Sequence, residues 1–249
     1  MITNLIYHIF ATDSELMWWN LRMIKQYLPI FNGKRIFTIA NKDSRNTNLT
    51  DKIINILGKE NTYFVVDNDI NRTYGGTYPF FDISAPLIAN TNENEFLFHA
   101  HSKGASYTEI NPCVLFWTKA MYEMNLGQFN NVKDTLTNYD TYGIFKCTGT
   151  AFGNRVNWHY PGAFWWVRHS ALFSQNWSAV EKDACATEIL PSQFIPSERA
   201  YNGLELPPQF IDPYKPYAAD KLYNIDCWKI NFATQDLTST VKRVLYADS

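Results

Sequence analysis

Glu95-Phe96-Leu97-Phe98-His99-Ala100-His101-Ser102-Lys103-Gly104 runs from an apolar segment straight into a polar turn. Phe96–Phe98 reads as a buried strand, and His99, His101 and Lys103 extend from its carboxyl end. Upstream, the chain repeats a strand–helix alternation. Leu5–Phe10 reads as a first strand. Ser14 is placed to cap a helix with Met17, Leu21, Ile24 and Leu28 at helical spacing, ended by Pro29 and Gly33. Arg35–Ala40 is a second strand. Thr50 is expected to cap a second helix whose apolar face is Ile53, Ile54 and Leu57, stopped by Gly58. Tyr63–Val66 is a third strand that ends at Asp67-Asn68-Asp69. Tyr74-Gly75-Gly76-Thr77 is a glycine-rich turn before a helix through Phe81, Leu87 and Ile88. Such alternation predicts βαβ units, hence an α/β fold with a central, mostly parallel sheet flanked by helices. Ligands of these sheets bind outside the carboxyl ends of the strands.

The second half is less regular. Pro112 starts a helix carrying Leu115, Phe116, Ala120, Met121 and Met124, and Phe129–Leu136 reads as a short helix. Tyr142–Phe145 and Phe164–Val167 read as strands. Five prolines between Pro191 and Pro213 predict loops and short helices wrapped on the sheet.

The chain has 249 residues, 46% of them hydrophobic, enough for one sizeable core, so a single domain over 1–249 is expected. The net charge is −2 and no Lys/Arg stripe is visible, which argues against a nucleic-acid partner. No apolar run approaches a membrane span. Leu5–Phe10 lacks the basic flank of a signal peptide, so a cytoplasmic location is expected. Cys113, Cys147, Cys185 and Cys227 are widely spaced, which suits reduced thiols better than a disulfide framework or a zinc ribbon.

Four constellations carry chemistry. His99 and His101, two apart on an extended chain, point to one side and can present two imidazoles to one ligand. Two imidazoles suit a borderline divalent metal, and Lys103 beside them suits a phosphate. As a plain alternative, both histidines bond loop backbone. His159, in a loop rich in aromatic residues, is the best remote partner for the pair. Asp67-Asn68-Asp69 has the form of a cation-binding DxD, but Asp and Asn are also ordinary turn residues. Trp158, Tyr160, Phe164, Trp165 and Trp166 form an aromatic block that either stacks on a sugar or packs the core. Only one of Trp165 and Trp166 can face a cleft. Ser197-Glu198-Arg199 and Glu205 offer carboxylates for general-base work or simply sit in solvated loops.

Taken together, His101-Ser102-Lys103-Gly104, Trp117 with Met121, Tyr139-Asp140 before Gly143, and His159-Tyr160-Pro161-Gly162-Ala163-Phe164-Trp165-Trp166 resemble a known family. It is a family of GT-A-type glycosyltransferases found in bacterial polysaccharide clusters and large DNA viruses. The strand Asn4–His8 and the turn Phe31–Arg35 are also similar, so the resemblance spans most of residues 4 to 205. It implies a GT-A-like fold with a nucleotide-sugar-binding half (1–105) and an acceptor-side half (106–249). It also implies a hexosyl- or deoxyhexosyltransferase that moves a sugar from a UDP-, GDP- or dTDP-linked donor to a glycan hydroxyl. Where such folds carry an acidic motif, this chain has His99-Ala100-His101. Either His99, His101 and His159 bind Mn²⁺ or Mg²⁺, or the histidines and Lys103 neutralise the diphosphate directly. On this resemblance the donor contacts are His8, Thr12, Asn41, His99, His101, Ser102, Lys103, Gly104, Trp165 and Trp166. Glu198 is the expected base, with Asp69 and Glu205 as alternates. The family's Asn before Phe-Trp-Trp is Ala163 here. The rival expectations are a metal-dependent hydrolase built on His99, His101 and His159, and a non-catalytic carbohydrate-binding domain. Oligomeric state is open.

Overall fold

A computed structural model describes residues 1–41, 47–67, 76–91, 94–151, 155–205, 222–224, 226 and 228. Its first four strands are β1 (Thr3–Ala11), β2 (Arg35–Asn41), β3 (Thr62–Asp67) and β4 (Phe96–His101). Between them lie α1 (Glu15–Tyr27), α2 (Thr47–Leu57) and, after a π-type turn over Pro79–Ser84, α3 (Ala85–Ala89). The chain continues through α4 (Pro112–Tyr122), α5 (Phe129–Thr135), β5 (Thr141–Gly143), β6 (Cys147–Ala151) and β7 (Val156–His159). It then forms β8 (Trp165–Arg168), α6 (His169–Phe173), α7 (Ala186–Phe194) and β9 (Ala200–Asn202).

The central sheet has seven strands in the order β3-β2-β1-β4-β8-β5-β9, and β6 pairs with β7 in a separate ribbon. β3, β2, β1 and β4 are mutually parallel. β8 runs antiparallel to both β4 and β5, and β5 is parallel to β9. The fold is thus α/β with a mostly parallel central sheet, flanked by helices on both faces.

Strand alternation sorts the core into two layers. Leu5, Tyr7, Ile9, Phe37, Ile39, Phe98 and Trp166 bury one face together with apolar residues of α1, α2 and α4. Ile6, Ile36, Leu97, Trp165 and Val167 bury the other together with Phe80, Ile88, Leu172 and Leu190. Local chemistry sets the helix starts. Ser14 Oγ accepts from the Met17 N–H and begins α1 as expected. Asn111 Oδ1 accepts from the N–H groups of Cys113 and Val114 ahead of Pro112, the first residue of α4. Thr50 departs from expectation. It lies inside α2, which begins at Thr47, and its hydroxyl accepts from Asn41 Nδ2.

α7 overlaps the start of the proline-rich stretch, where loops and short helices are expected, and it contains Pro191. Proline has no N–H to give the carbonyl four residues back, here that of Thr187. The Trp165 indole N–H fills the gap, donating to Thr187 O at 2.9 Å. The Trp158 indole does the same for Ile195 O just past the helix. Two tryptophans therefore fasten both ends of α7 to β7 and β8. Among the described residues no helix is long and apolar enough to cross a membrane.

Candidate functional site

The order β3-β2-β1-β4 reverses direction between β1 and β4, the position where open α/β sheets leave a crevice at their carboxyl ends. The pairing register sets His8 beside His101 and Ile6 beside His99, so all four share one face. Thr38 of β2 completes the row, 2.9 Å from His8 Nδ1.

The turn after β4 is fastened from several sides. The Ser102 N–H donates to His8 O, and Ser102 Oγ accepts from the Phe10 N–H at 2.9 Å. Asn20 Nδ2 donates to Lys103 O, while Thr12 and Ser14 hydroxyls both donate to Ala105 O. Gly104 has φ +78°, and a Cβ there would sit 2.6 Å from Leu16 and 2.7 Å from Val114. Only glycine fits that conformation and that space. Ser102, Gly104 and Thr12 thus shape the turn that presents Lys103.

The two β4 histidines are held by successive carbonyls. His99 Nδ1 lies 2.8 Å from Ala163 O, and His101 Nε2 lies 3.0 Å from Gly162 O. A carbonyl only accepts, so Nδ1 of His99 and Nε2 of His101 carry the protons. Gly162 and Ala163 both adopt positive φ, +92° and +57°, which turns both carbonyls toward the strand. Gly162 also packs tightly: a Cβ would lie 3.1 Å from Trp117 and 3.0 Å from Met121. His99 stacks on Trp165, and its Nε2 is buried without a hydrogen-bond partner among the described residues.

Burial disfavours charge throughout this cluster. It lowers His8 to about 3 and His99 to about 4. His101 also falls well below the usual range, first through burial and then through the nearby Lys103, His99 and His8. Burial lowers Lys103 too, although Glu188 partly offsets it. The Lys103 ammonium lies 3.9 Å from the ring centre of Trp117.

Glu188 on α7 was not foreseen. Burial raises its carboxyl, opposed by Lys103 and by a backbone hydrogen bond from Gly162. Its Oε1 is 3.7 Å from His159 Nε2, and burial holds His159 down at about 4. Trp117 forms the floor beneath Lys103, and the half-exposed Tyr223 meets Trp117 edge-on. Tyr223 also hydrogen-bonds Tyr107 at the rim. No periodicity pointed to Glu188. The local signal, Pro191 after the short apolar run Ile189-Leu190, is compatible with either a loop or a short helix.

Other expected site residues lie elsewhere. Trp165 and Trp166 are fully buried, on opposite faces, so neither offers a stacking surface. Asn41 is buried on the face opposite His8. Glu198 and Glu205 flank β9, three strands from β4. Both are exposed, with Lys146 as a charged neighbour. Asp69, Asn68, Tyr74 and Gly75 lie outside the described residues, while Asp67 ends β3. The described residues contain no group of three His, Cys, Asp or Glu placed to hold a metal ion. His99 and His101 each spend one ring nitrogen on a carbonyl, and His159 faces Glu188. Compared with known proteins, the chain matches no family model and no curated sequence.

Proposed function

We propose that this chain is a GT-A-like glycosyltransferase that moves a sugar from a nucleotide-sugar donor to a glycan hydroxyl. One observation carries the reading. Lys103, His8, His99 and His101 converge at the carboxyl ends of β1 and β4, on either side of the point where the strand order reverses. A nucleoside diphosphate leaving group needs positive charge where its own charge develops. Lys103 brings a fixed cation there on a turn that five hydrogen bonds hold in place. The approach of a diphosphate favours protonation of the nearby imidazoles and so strengthens the same field. The proposed step is carried by this chain's own groups, with Lys103 and the imidazoles neutralising the diphosphate directly.

Thermal-shift measurements with UDP, GDP, dTDP and CMP, each with Mn²⁺ or with EDTA, test this. Saturation at about 100 times Kd adds about 2.7 kcal/mol, which for a chain of this size raises Tm by roughly 5–10 °C. The expected result is such a shift with at least one nucleotide, lost in Lys103→Ala and kept in Glu198→Ala. No shift with any nucleotide under either condition refutes the reading.

A further inference from the structure

Glu188 is the carboxylate that faces Lys103 across this site, and its position is tightly determined. Its neighbour Thr187 is anchored by the Trp165 indole, and Ile189 and Leu190 are fully buried. A single residue, Gly162, then links its side chain to β4. The Gly162 N–H bonds the Glu188 carboxylate, while the carbonyl of the same residue holds His101. One glycine thus couples the α7 carboxylate to the strand-end histidines.

We propose that Glu188 is the base that takes the proton from the incoming sugar hydroxyl, an inference that rests on the transferase reading above. Its side chain is 24% exposed, while Ile189 and Leu190 beside it are sealed, so a solute can reach it. Among the described residues the one group within ion-pair distance is His159, whose ring is held neutral by burial. The titratable groups around it are Lys103 from the turn after β4, His159 from β7, Tyr223 from the rim and Cys185 ahead of α7. None of them forms a close ion pair that would occupy the carboxylate.

In the step itself, the hydroxyl proton passes to Glu188. The hydroxyl oxygen bonds the anomeric carbon of the donor sugar. The bond from that carbon to the phosphate oxygen breaks, and its electron pair leaves with the nucleoside diphosphate beside Lys103. The proton on Glu188 then returns to solvent. A single displacement of this kind inverts the anomeric centre. The base must be deprotonated to act, so the rate rises with pH through the Glu188 carboxyl, which burial lifts above the ordinary carboxylate range.

Glu188→Gln tests the assignment, because the amide oxygen can still accept from Gly162 but has no proton affinity. Nucleotide release from UDP-, GDP- and dTDP-sugars, with water as acceptor, is measured against pH alongside the thermal shift with UDP and GDP. The expected result is a fall in release of about 100-fold or more, loss of the acid limb of the rate profile, and an unchanged nucleotide shift. Glu188→Asp, which keeps a carboxylate, should release slowly with the acid limb retained, and it carries the test if the amide variant does not fold. Release by Glu188→Gln at near wild-type rate with the same pH profile overturns the base assignment and leaves the transferase standing. Wild-type protein that binds no nucleotide overturns the transferase reading beneath it. Wild-type protein that binds nucleotide but releases none from any sugar overturns the assignment of Glu188 as a base.

Discussion

The two ends of the central sheet treat their ionisable groups in opposite ways. At the amino end of β4, Asp140 accepts two hydrogen bonds from the Arg199 guanidinium, at 2.8 and 2.9 Å, and Arg168 approaches to 3.4 Å. Those partners draw each group toward its charged form: Arg199 lowers Asp140, and Asp140 raises Arg199. At the carboxyl end, burial pushes Lys103, Glu188 and four histidines toward their neutral forms. Paired charges at one end tie β5, β8 and β9 together. Desolvated, incompletely matched charges at the other are a source of electrostatic free energy that a charged ligand can use.

The largest expected effect lies in the packing beneath the carboxyl end. Trp165 supports His99 and anchors α7, so Trp165→Ala should cost about 3–5 kcal/mol, read from chemical unfolding. A loss no larger than that of a surface substitution would show that the cluster does not depend on this support.

Acid should separate the two ends. The unfolded histidines take up protons near 6.5, whereas folded His99 does so only near 4 and His8 near 3. Between those values the unfolded state binds more protons, so stability is full above 6.5 and falls as pH drops toward 4. His99 alone accounts for a loss on the order of 3 kcal/mol by the bottom of that window. Asp140 works lower down, because its contribution is present above its ordinary 3.8 and is lost only as pH falls further. Unfolding free energy measured from pH 8 to pH 4 should therefore decline from the histidine end first. A flat profile from 6.5 to 4.5 would contradict the burial of these rings.

The smallest effect is the most direct comparison. Removing both desolvated charges with Lys103→Met/Glu188→Gln should leave stability within about 1 kcal/mol of wild type, or raise it. Asp140→Asn should lower stability by up to about 1 kcal/mol, and by less at high salt. A double variant that destabilises more than Asp140→Asn would make the carboxyl-end pair a structural one.

Much of the architecture was legible in local signals. Ser14, Gly58, Pro112 and the strand run Phe96–Phe98 stand where capping, termination and burial placed them. The second half was harder to read because its order is set by distant partners. Pro191 looks like a helix breaker until Trp165, 26 residues earlier, supplies the missing donor (191 minus 165). Glu198 and Glu188 are equivalent as glutamates in a proline-rich stretch, and only topology puts one beside β9 and the other beside Lys103.

Sequence alone determined the α/β class and the strand that ends in His99 and His101, because period-two burial acts over a few residues. Tertiary structure alone decided that Trp165 and Trp166 are core rather than platform, that Leu16 and Val114 leave room only for glycine at 104, that Ala163 and Gly162 hold the histidines, and that Glu188 lies within electrostatic reach of Lys103. Those outcomes depend on which segments the sheet order brings together and on how far water is excluded between them. Neither can be read from neighbouring residues.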